Sequence, residues 1–357
     1  MNKRNPPIQL SDGSYVNYVD IRSDIFKDKS INVLGGSNTG KSYILNEMIN
    51  GMCKYIWIVI VFASTADIDN SFCMDEYTSR LLIYEDINTD ALLEITAIAK
   101  ERKKLFIKSR SLPSLEASMK ICLQILMERD DQTKLKSLKS KYKKIKKKER
   151  TITNSLSKDE RSKLIKDISD MYRYCLINMH NYIYDNNINV SQYDDESLLS
   201  LVCVKMNTHL GIIFNDLGPT IGNLGKKDSE ILTNLLIKGR HSDITFISLG
   251  HAITHLPAGG RKSCKVFIFT DETLVGAFLH DMKIKGKRSA KIMEAAERVI
   301  GDDSKKPENK RKYTKLVYFT ETGKMYYIIA DNKCVPRRCG DKRILKHLDK
   351  FVKNNLF

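Results

Sequence analysis

The 357-residue sequence lacks several features that mark other classes of protein. Its eight cysteines are dispersed and form no Cys-x-x-Cys pair, which favours reduced intracellular thiols and disfavours a zinc site. The polar N-terminus has no apolar core of signal-peptide length, and no apolar run approaches the length of a membrane span. We therefore expect a cytosolic or nuclear protein with no membrane segment of its own.

Two motifs of other enzyme classes are also missing. The Asn/Thr-Lys-x-Asp motif by which GTPases read their base occurs nowhere in the chain, so a GTPase is disfavoured. His251 and His255 stand four residues apart, but Ala252 occupies the place where a zinc protease helix has glutamate. We therefore reject a metalloprotease.

The composition favours a globular protein with a polyanionic partner. Apolar residues make up 42% of the chain, enough for one α/β domain with an insertion or for two smaller units. The formal net charge is +17, which solubility explains in part and which favours nucleic acid as a partner.

The most specific motif is the segment GGSNTGKS, which follows an apolar run and precedes a helical pattern. Glycines at both ends permit a tight loop whose backbone N–H groups point at phosphates. The lysine can reach the β and γ oxygens of a nucleotide, and the serine hydroxyl can bind Mg²⁺. We expect a nucleoside triphosphate to be bound by Gly35, Gly36, Ser37, Asn38, Thr39, Gly40, Lys41 and Ser42.

Solid apolar runs predict an α/β fold with a mainly parallel sheet and crossover helices, because such strands suit burial on both faces. A hairpin near the end is predicted to close one edge of the sheet. The predicted strands are Ser30–Leu34, Tyr55–Phe62, Leu81–Tyr84, Leu210–Phe214, Ile244–Leu249, Lys265–Phe269 and the hairpin strands Leu316–Phe319 and Met325–Ile329.

A long helical segment interrupts this pattern. Residues 114–184 contain no proline and no glycine, and a break at residues 151–155 is followed by the capping-box pair Ser157 and Glu160. We predict an inserted helical hairpin, and a partial heptad pattern leaves open whether its arms pair with each other or with a neighbouring subunit. The predicted layout is an N-terminal extension at 1–29, a phosphate-loop domain at 30–335 interrupted by the hairpin at 106–195, and a basic C-terminal helix within 336–357.

The hairpin concentrates positive charge. Residues 131–150 hold nine lysines and one arginine against two acidic residues. Such a run is either a solvated helix face or a surface that contacts a phosphate backbone, and the sequence leaves both open. Tyr142 is the one aromatic residue among the lysines, so duplex contact fits better than stacking on single-stranded bases.

The other half of a nucleotide site requires an acidic group at the end of a second buried strand. The segment GIIFND supplies it and ends at Asn215 and Asp216. Either Asn215 accepts a hydrogen bond from a water on Mg²⁺ while Asp216 orients the attacking water, or Asp216 alone serves the metal and the catalytic carboxylate lies elsewhere. A third reading makes Asp216 a cap of the following turn.

The ordered set GGSNTGKS, IIFND, KGRH, FISLGH and LPAGGR resembles the DNA-packaging ATPases of nucleocytoplasmic large DNA viruses. These are the poxvirus-type branch of the FtsK/HerA-like motor ATPases. The resemblance covers residues 31–269 apart from the inserted hairpin. It implies a P-loop sheet of the additional-strand type, in which the strand before His251 lies between the phosphate-loop strand and the Asn215 strand.

The resemblance also implies roles for individual residues. A polar sensor of the γ-phosphate, usually glutamine, corresponds to His251, and the usual pair of acidic residues corresponds to Asn215 and Asp216. Such ATPases form rings, here expected to have five or six subunits, in which an arginine of the adjacent subunit completes each site. Arg240 and Arg261 are the candidates, and the GRH segment favours Arg240.

We therefore expect an ATPase that uses ATP and Mg²⁺, with Ser42 and Asp216 at the metal, to package double-stranded viral DNA. The expected partners are duplex DNA, further copies of the chain, and a capsid or membrane component at the packaging portal. The expected location is the viral factory in the host cytoplasm, with the virion as a second place. A related helicase or DNA pump, and a weakly catalytic or non-catalytic nucleotide-gated DNA-binding or assembly protein, are the alternatives.

Overall fold

The computed structural model describes residues 5–63, 78–79, 82–153, 155–307, 313–331, 333–335 and 337–355, and the side chains of 219 and 352–355 stand outside this description. Two compact units can be distinguished, one formed by Met1–Ala99 with Thr208–Phe357 and one formed by Lys100–Asn207. We call them the sheet unit and the inserted unit. The predicted domain limits at 30–335, 106–195 and 336–357 stay predictions, and the predicted strand residue Leu81, Cys73 and residues 356–357 lie outside the described residues.

The described strands all belong to the sheet unit. They are β1 (Ile8–Gln9), β2 (Tyr15–Tyr18), β3 (Ser30–Leu34), β4 (Ile56–Ala63), β5 (Ile83–Tyr84), β6 (His209–Asn215), β7 (Ile244–Gly250), β8 (Val266–Phe269), β9 (Thr314–Phe319) and β10 (Met325–Ile329).

The helices lie in both units. They are α1 (Lys41–Met52), α2 (Thr89–Ser109), α3 (Leu112–Glu128), α4 (Gln132–Glu149), α5 (Lys158–Asp185), α6 (Asp195–Cys203), α7 (Gly218–Gly222), α8 (Lys226–Lys238), α9 (Ala258–Ser263), α10 (Thr273–Asp281), α11 (Gly286–Ala296), α12 (Asp302–Ser304) and α13 (Lys342–Asn355).

One sheet with the order β1-β2-β10-β9-β8-β3-β7-β6-β4-β5 contains all the described strands. The run β8-β3-β7-β6-β4-β5 is parallel throughout. Strand β7 lies between β3, which leads into the phosphate loop, and β6, which ends at Asn215. The predicted fold class and the predicted place of the strand before His251 are therefore confirmed.

Burial on both faces explains the solid apolar runs of the central strands. Along β3, Ile31 and Val33 pack with Ile44 and Met48 of α1, while Leu34 joins the core on the opposite face. Successive side chains of a strand point to opposite faces, so a strand covered on both sides needs apolar residues at every position. This packing fixes α1 over β3 and thereby fixes the loop that joins them.

The predicted hairpin forms, but the prediction that it closes the edge of the sheet is wrong. Strands β9 and β10 pair antiparallel, and β10 also pairs in parallel with β2, which pairs with β1. The residues assigned to an N-terminal extension thus add two strands outside the hairpin. Strands of two and four residues are too short to show an apolar pattern, and β2 finds its partner about 300 residues further along the chain.

The inserted unit contains more than the predicted pair of helices. Helices α3, α4, α5 and α6 pack around a core of their own, which includes Leu115, Met119, Leu135, Leu138, Ile145, Ile168, Tyr172 and Leu176. The break that the sequence reading missed lies between α3 and α4. There Asp130 adopts a left-handed backbone (φ 51°) and the Asp131 side chain accepts a hydrogen bond from the Lys134 amide at 3.0 Å. Aspartate tolerates the left-handed region and caps helices, so a chain can turn there without glycine or proline.

Four further predictions concern the C-terminal helix, the break before Ser157, membrane-spanning segments and the cysteines. The basic helix expected at the C-terminus is α13, and the predicted break before Ser157 is present, with the capping box of Ser157 and Glu160 formed. Every helix in the described ranges is too short or too polar to span a lipid bilayer. The seven cysteines within these ranges are free thiols.

Candidate active site

The phosphate loop joins the end of β3 to the start of α1, as predicted. A Cβ atom at Gly35 would lie 1.7 Å from Thr270 Oγ1 and 2.5 Å from Thr39 Oγ1, so this position excludes any side chain. Asn38 and Gly40 have left-handed backbones, with φ of 60° and 92°. The Thr39 hydroxyl donates to the Gly36 carbonyl at 2.8 Å and lies 2.5 Å from the Thr270 hydroxyl. The loop is therefore held in a tight turn before any ligand is bound.

Lys41 lies inside this turn. Its ammonium group donates to the carbonyl oxygens of Gly35 and Gly36 at 3.0 and 2.9 Å, and the residue is only 7% exposed. Burial lowers the pKa of Lys41, and the carboxylate of Asp216 acts in the opposite direction. A positive charge at a helix N-terminus, among backbone amides, is suited to an anion.

The tip of β6 brings the predicted acidic residue to the same edge of the sheet. Asn215 pairs with Leu249 of β7, and the Asp216 amide donates to the Leu249 carbonyl at 3.2 Å. Asp216 has a left-handed backbone (φ 51°), which turns the chain out of the strand. The Asp216 side chain is 32% exposed, although its Oδ1, the oxygen that faces His251, is buried.

His251 joins these two groups. Its Nδ1 lies 3.4 Å from Lys41 Nζ, and its Nε2 lies 3.3 Å from Asp216 Oδ1. An ammonium group can only donate, so Nδ1 is the acceptor and the proton of the neutral ring is on Nε2, facing the carboxylate. Lysine, histidine and aspartate from three different parts of the chain thus form one series of polar contacts, and the sensor role of His251 stays a prediction.

A buried histidine supports the strand that carries His251. His255 Nε2 lies 2.8 Å from Ser248 Oγ, and Nδ1 lies 2.5 Å from the Ala252 carbonyl, so Nδ1 carries the proton and Nε2 accepts. Its ring occupies the space next to Gly250, where a Cβ would lie 2.4 Å from Nδ1. Burial lowers the pKa of His255 to about 4. The sequence analysis considered His255 only as part of a zinc-protease motif, which it rejected, whereas the contacts of this residue support a structural role.

The two candidate arginines differ in their surroundings. Arg261 is largely buried, binds Asp281 through two hydrogen bonds of 2.8 Å, and donates to the Leu256 carbonyl at 2.8 Å. Arg240 is half exposed and has one contact of 3.4 Å with Glu321. Arg240 precedes β7, at the opposite end of that strand from His251. Seven strand residues span about 20 Å, so Arg240 cannot reach the phosphate loop of its own chain.

The residues present fit a nucleotide with its magnesium ion. The loop excludes a side chain at Gly35, buries one ammonium group and leads into the N-terminus of α1, a combination suited to phosphates. Ser42 stands in the first turn of α1, and Asp216 acts electrostatically on Lys41 beside it. A hydroxyl and a carboxylate are oxygen ligands of the kind that Mg²⁺ takes.

Strands β8 and β9 bring further residues to the loop that sequence reasoning missed. Thr270 follows β8 and packs on Gly35. A Cβ atom, if Gly36 had one, would lie 3.6 Å from Asp271 Oδ2. Lys315 of β9 is 7% exposed. Its Cε would lie 3.9 Å from a Cβ atom at Gly40, if that residue had one. No local motif marks them, because they approach the loop only through the pairing of β3 with β8 and of β8 with β9.

The sheet and the loop define a P-loop NTPase fold with an additional strand between the phosphate-loop strand and the acidic strand. The sequence profile of the Poxvirus A32 protein family matches residues 198–357 of this chain. The matched region contains the Asn215, Asp216, Arg240, His251 and Arg261 segments, and the phosphate loop precedes it. The match covers less than half of the chain, and over this part it agrees with the resemblance to the poxvirus-type DNA-packaging ATPases.

Several solved structures are remotely similar. B204, the DNA-packaging ATPase from Sulfolobus Turreted Icosahedral Virus, has 8% identity and a TM-score of 0.35, covering 84% of this chain and 96% of that one. The pCW3 conjugation coupling protein TcpA, in its monomer form with ATPγS, has 11% identity and a TM-score of 0.36, covering 98% of this chain and 70% of that one. No curated protein matches the chain. The assignment rests on the family match and on the site.

The buried His255 predicts a pH dependence of stability. Its pKa is about 4 in the folded chain against 6.5 for the free side chain, so the unfolded chain binds the proton first as the pH falls. The contribution of this group is complete above pH 6.5 and is lost as the pH falls towards 4, at about 1.4 kcal/mol per pH unit. Between pH 6.5 and 5 we expect His255 to remove about 2 kcal/mol from the free energy of unfolding.

Chemical denaturation of the native chain and of His255→Gln at several pH values measures this contribution. The glutamine amide can donate to Ala252 and accept from Ser248 but does not titrate. The curve of the variant should therefore be flatter in this window by the stated amount. Equal slopes for the two proteins would contradict the assignment.

Proposed function

We propose that this protein is a ring-forming motor that hydrolyses ATP, with Mg²⁺, to move double-stranded DNA into a viral capsid. The observation that carries the proposal is the chain of contacts from Lys41 through His251 to Asp216 at the mouth of the phosphate loop. The match of residues 198–357 to the Poxvirus A32 protein family supports the packaging task.

The site residues have distinct roles in this proposal. The loop amides and Lys41 bind the β- and γ-phosphates, and Asp216 accepts a hydrogen bond from the attacking water and orients it. The water oxygen forms a bond to the γ-phosphorus while the bond to the bridging oxygen of ADP breaks, and the proton of the water passes to the released phosphate. His251 lies between Lys41 and Asp216 in the resting site, with Nε2 3.3 Å from Asp216 Oδ1, and turns towards the γ-phosphate when nucleotide is bound.

Ser42 and Asp216 are the residues that would hold Mg²⁺, whose charge offsets that of the phosphate oxygens. Asn215 has no charge to add to that of Asp216. It lies at the last paired position of β6 and is 9% exposed. Its amide oxygen is suited to accept a hydrogen bond from a water rather than to serve as the base.

Replacing Lys41 with alanine should reduce ATP hydrolysis on the order of 10²-fold or more, because the group that faces the transferred phosphoryl is lost. The fold should persist, since the loop is also held by Thr39 and Thr270. Phosphate release and circular dichroism measure the two outcomes. Lys54→Ala, an exposed lysine just beyond the other end of α1, is the matched control. Unchanged hydrolysis in Lys41→Ala would overturn the site.

An arginine acting between subunits is supported by the position of Arg240 at the far end of β7. Arg261 is engaged with Asp281 and fits a structural role better. In a ring, Arg240 of one subunit would stabilise the charge on the phosphoryl group bound by the next.

Mixing inactive variants tests this arrangement. A subunit with Lys41→Ala still offers its Arg240, and a subunit with Arg240→Ala still offers an intact loop. Their mixture should therefore regain part of the ATPase activity that each lacks alone. A mixture of Lys41→Ala with Asp216→Asn should stay inactive, since both changes affect the nucleotide-holding subunit. Failure of the first mixture, in rings shown to contain both variants, would exclude Arg240 as the arginine acting between subunits.

The DNA partner is supported by a row of positive charges on α4, which we call the basic stripe. Lys136, Lys139, Lys143 and Lys147 are exposed, recur every three or four residues, and end at the exposed Arg150. In the described part of the chain no ion pair involves any of these five. By contrast, Lys134, Lys146 and Lys148 are paired with carboxylates.

The spacing of the stripe suits a phosphate backbone. Fourteen residues of helix span about 21 Å. The five charges lie on one side of α4, while Leu135, Leu138 and Ile145 of the opposite side are buried in the core of the inserted unit. Sequence-independent contact with duplex DNA requires such an exposed, unpaired row of cations and no groups that read bases.

Changing all five stripe residues to glutamine should weaken duplex binding and reduce its salt dependence. Each lost phosphate contact reduces the steepness of the slope of log K against log salt by about 0.9, so the loss of five contacts should reduce it by about 4.5. Fluorescence anisotropy on duplex DNA between low and moderate salt measures the slope. Glutamine at Lys134, Lys146 and Lys148, which are already paired, is the control. An unchanged slope with altered subunit association would assign the stripe to a neighbouring subunit.

ATPase activity with and without duplex DNA across a salt series tests the motor as a whole. Stimulation that is lost at high salt supports the proposal. Directional movement along a blunt duplex without strand separation would separate a packaging motor from a helicase. ATP binding without turnover, even with DNA and at ring-forming concentration, would instead indicate a nucleotide-gated assembly protein.

A further inference from the structure

Lys315 is a buried lysine whose position none of the sequence motifs explains. It is the second residue of β9, and the pairing of Phe269 with Leu316 sets it beside Thr270 at the mouth of the phosphate loop. Its ammonium group donates to the Thr270 carbonyl at 3.3 Å, and the residue is 7% exposed. Its Cε lies 3.9 Å from the place of a Cβ at Gly40.

The side chain points to the face of the sheet on which α1 packs. Val317, two residues further along β9, belongs to the core cluster that contains Ile44 and Met48 of α1. Alternate residues of a strand share a face, so Lys315 lies on the same side, at the N-terminal end of the helix. Gly40 is the N-cap of α1, and Lys41 is its first residue.

The position of the Lys315 ammonium group is electrostatically unfavourable for a cation in the free protein. Burial lowers the pKa of Lys315, while the more distant carboxylates of Asp303 and Asp271 act in the opposite direction. Within the described ranges no carboxylate lies within ion-pair distance of its ammonium group. The N-terminus of a helix carries partial positive charge, and Lys41 adds a full one. Two ammonium groups thus converge on a helix N-terminus, and the nearby carboxylates of Asp216, Asp271 and Asp303 act on them without forming an ion pair with Lys315 in the described part of the chain.

We propose that Lys315 is a second phosphate-binding lysine, which contacts the phosphate chain of the nucleotide from the β8 side of the loop. Lys41 and His251 act from the β7 side. The inference rests on the proposed function and adds a binding residue to the same site. The phosphates of a nucleotide would supply a negative charge in direct contact with the Lys315 ammonium group. The free energy that burial of this group costs in the free protein would then be recovered in the complex as binding free energy.

The position of Lys315 in the sheet also predicts whether its loss affects nucleotide binding or the chemical step. The attacking water is oriented by Asp216 on β6, and β3 and β7 stand between β6 and β8 in the sheet. Lys315 should therefore act on ATP and ADP alike and stabilise the bound ground state. Its loss should raise the Kd and KM of the nucleotide and leave kcat nearly unchanged, unlike the loss of Lys41.

The alternative is a structural role, in which the lysine only ties β9 to the Thr270 carbonyl. The two roles predict opposite effects of Lys315→Met, which keeps the length of the side chain without its charge. A structural lysine would leave nucleotide affinity unchanged and lower the stability of the free protein. A phosphate-binding lysine would lower nucleotide affinity and leave the melting temperature of the free protein equal or higher.

The experiment compares the full-length native chain with Lys315→Met, Lys315→Gln and Lys315→Arg, and with Lys324→Met as an exposed control near the hairpin turn. Melting temperature is measured without ligand, and affinity is measured separately with ATP and ADP. We expect at least a tenfold rise in both dissociation constants for the methionine and glutamine variants, a smaller rise for arginine, and none for the control.

Each outcome bears on one hypothesis. Native-like affinity in either neutral variant that remains folded would overturn the role of Lys315 and leave the proposed function intact. A tenfold loss of affinity with unchanged kcat would establish it. Absence of nucleotide binding by the native chain itself would instead overturn the proposed function.

Discussion

Parallel pairing of β6, β7 and β3 is the constraint on which the site depends. Parallel strands end at the same edge of a sheet, so Asp216, His251 and the phosphate loop meet although they are far apart in the chain. The insertion of β7 between the other two strands sets His251 within reach of both Lys41 and Asp216. A sheet that paired β3 directly with β6 would leave no place for a residue to connect them.

Buried positive charge is the second determinant of the site. Lys41 hydrogen-bonds to the loop carbonyls, and burial lowers the pKa of Lys41 and of Lys315 on either side of the helix N-terminus. Burial of cations costs free energy unless an anion accompanies them. The rigid core around β3 and α1 sustains this cost, because Ile31, Val33 and Ile44 are fully buried there. The packing of the sheet and the buried positive charges thus meet at the same loop.

Much of the fold could be predicted from sequence because the central strands are covered on both faces and are therefore mostly apolar, with few buried polar residues such as Asn32 and Ser248. The same reasoning missed β1 and β2, whose few residues carry no such pattern, and so it placed the edge of the sheet at the hairpin. It also took the segment without proline and glycine for two helices, because the turn at Asp130 depends on an aspartate that adopts a left-handed backbone. Local patterns record burial and strong breakers, and these elements have neither.

The sequence by itself determined the tight loop between β3 and α1 and the strand that ends at Asn215, because the backbone requirements of these elements restrict the residues at fixed spacings. Only the tertiary structure decided which side chains share the site. The strand order brought His251 between Lys41 and Asp216, gave His255 a supporting role, and carried Lys315 to Gly40 from more than 270 residues away. Contacts across a sheet depend on which strands become neighbours, and that is settled by the packing of the whole core rather than by any local motif.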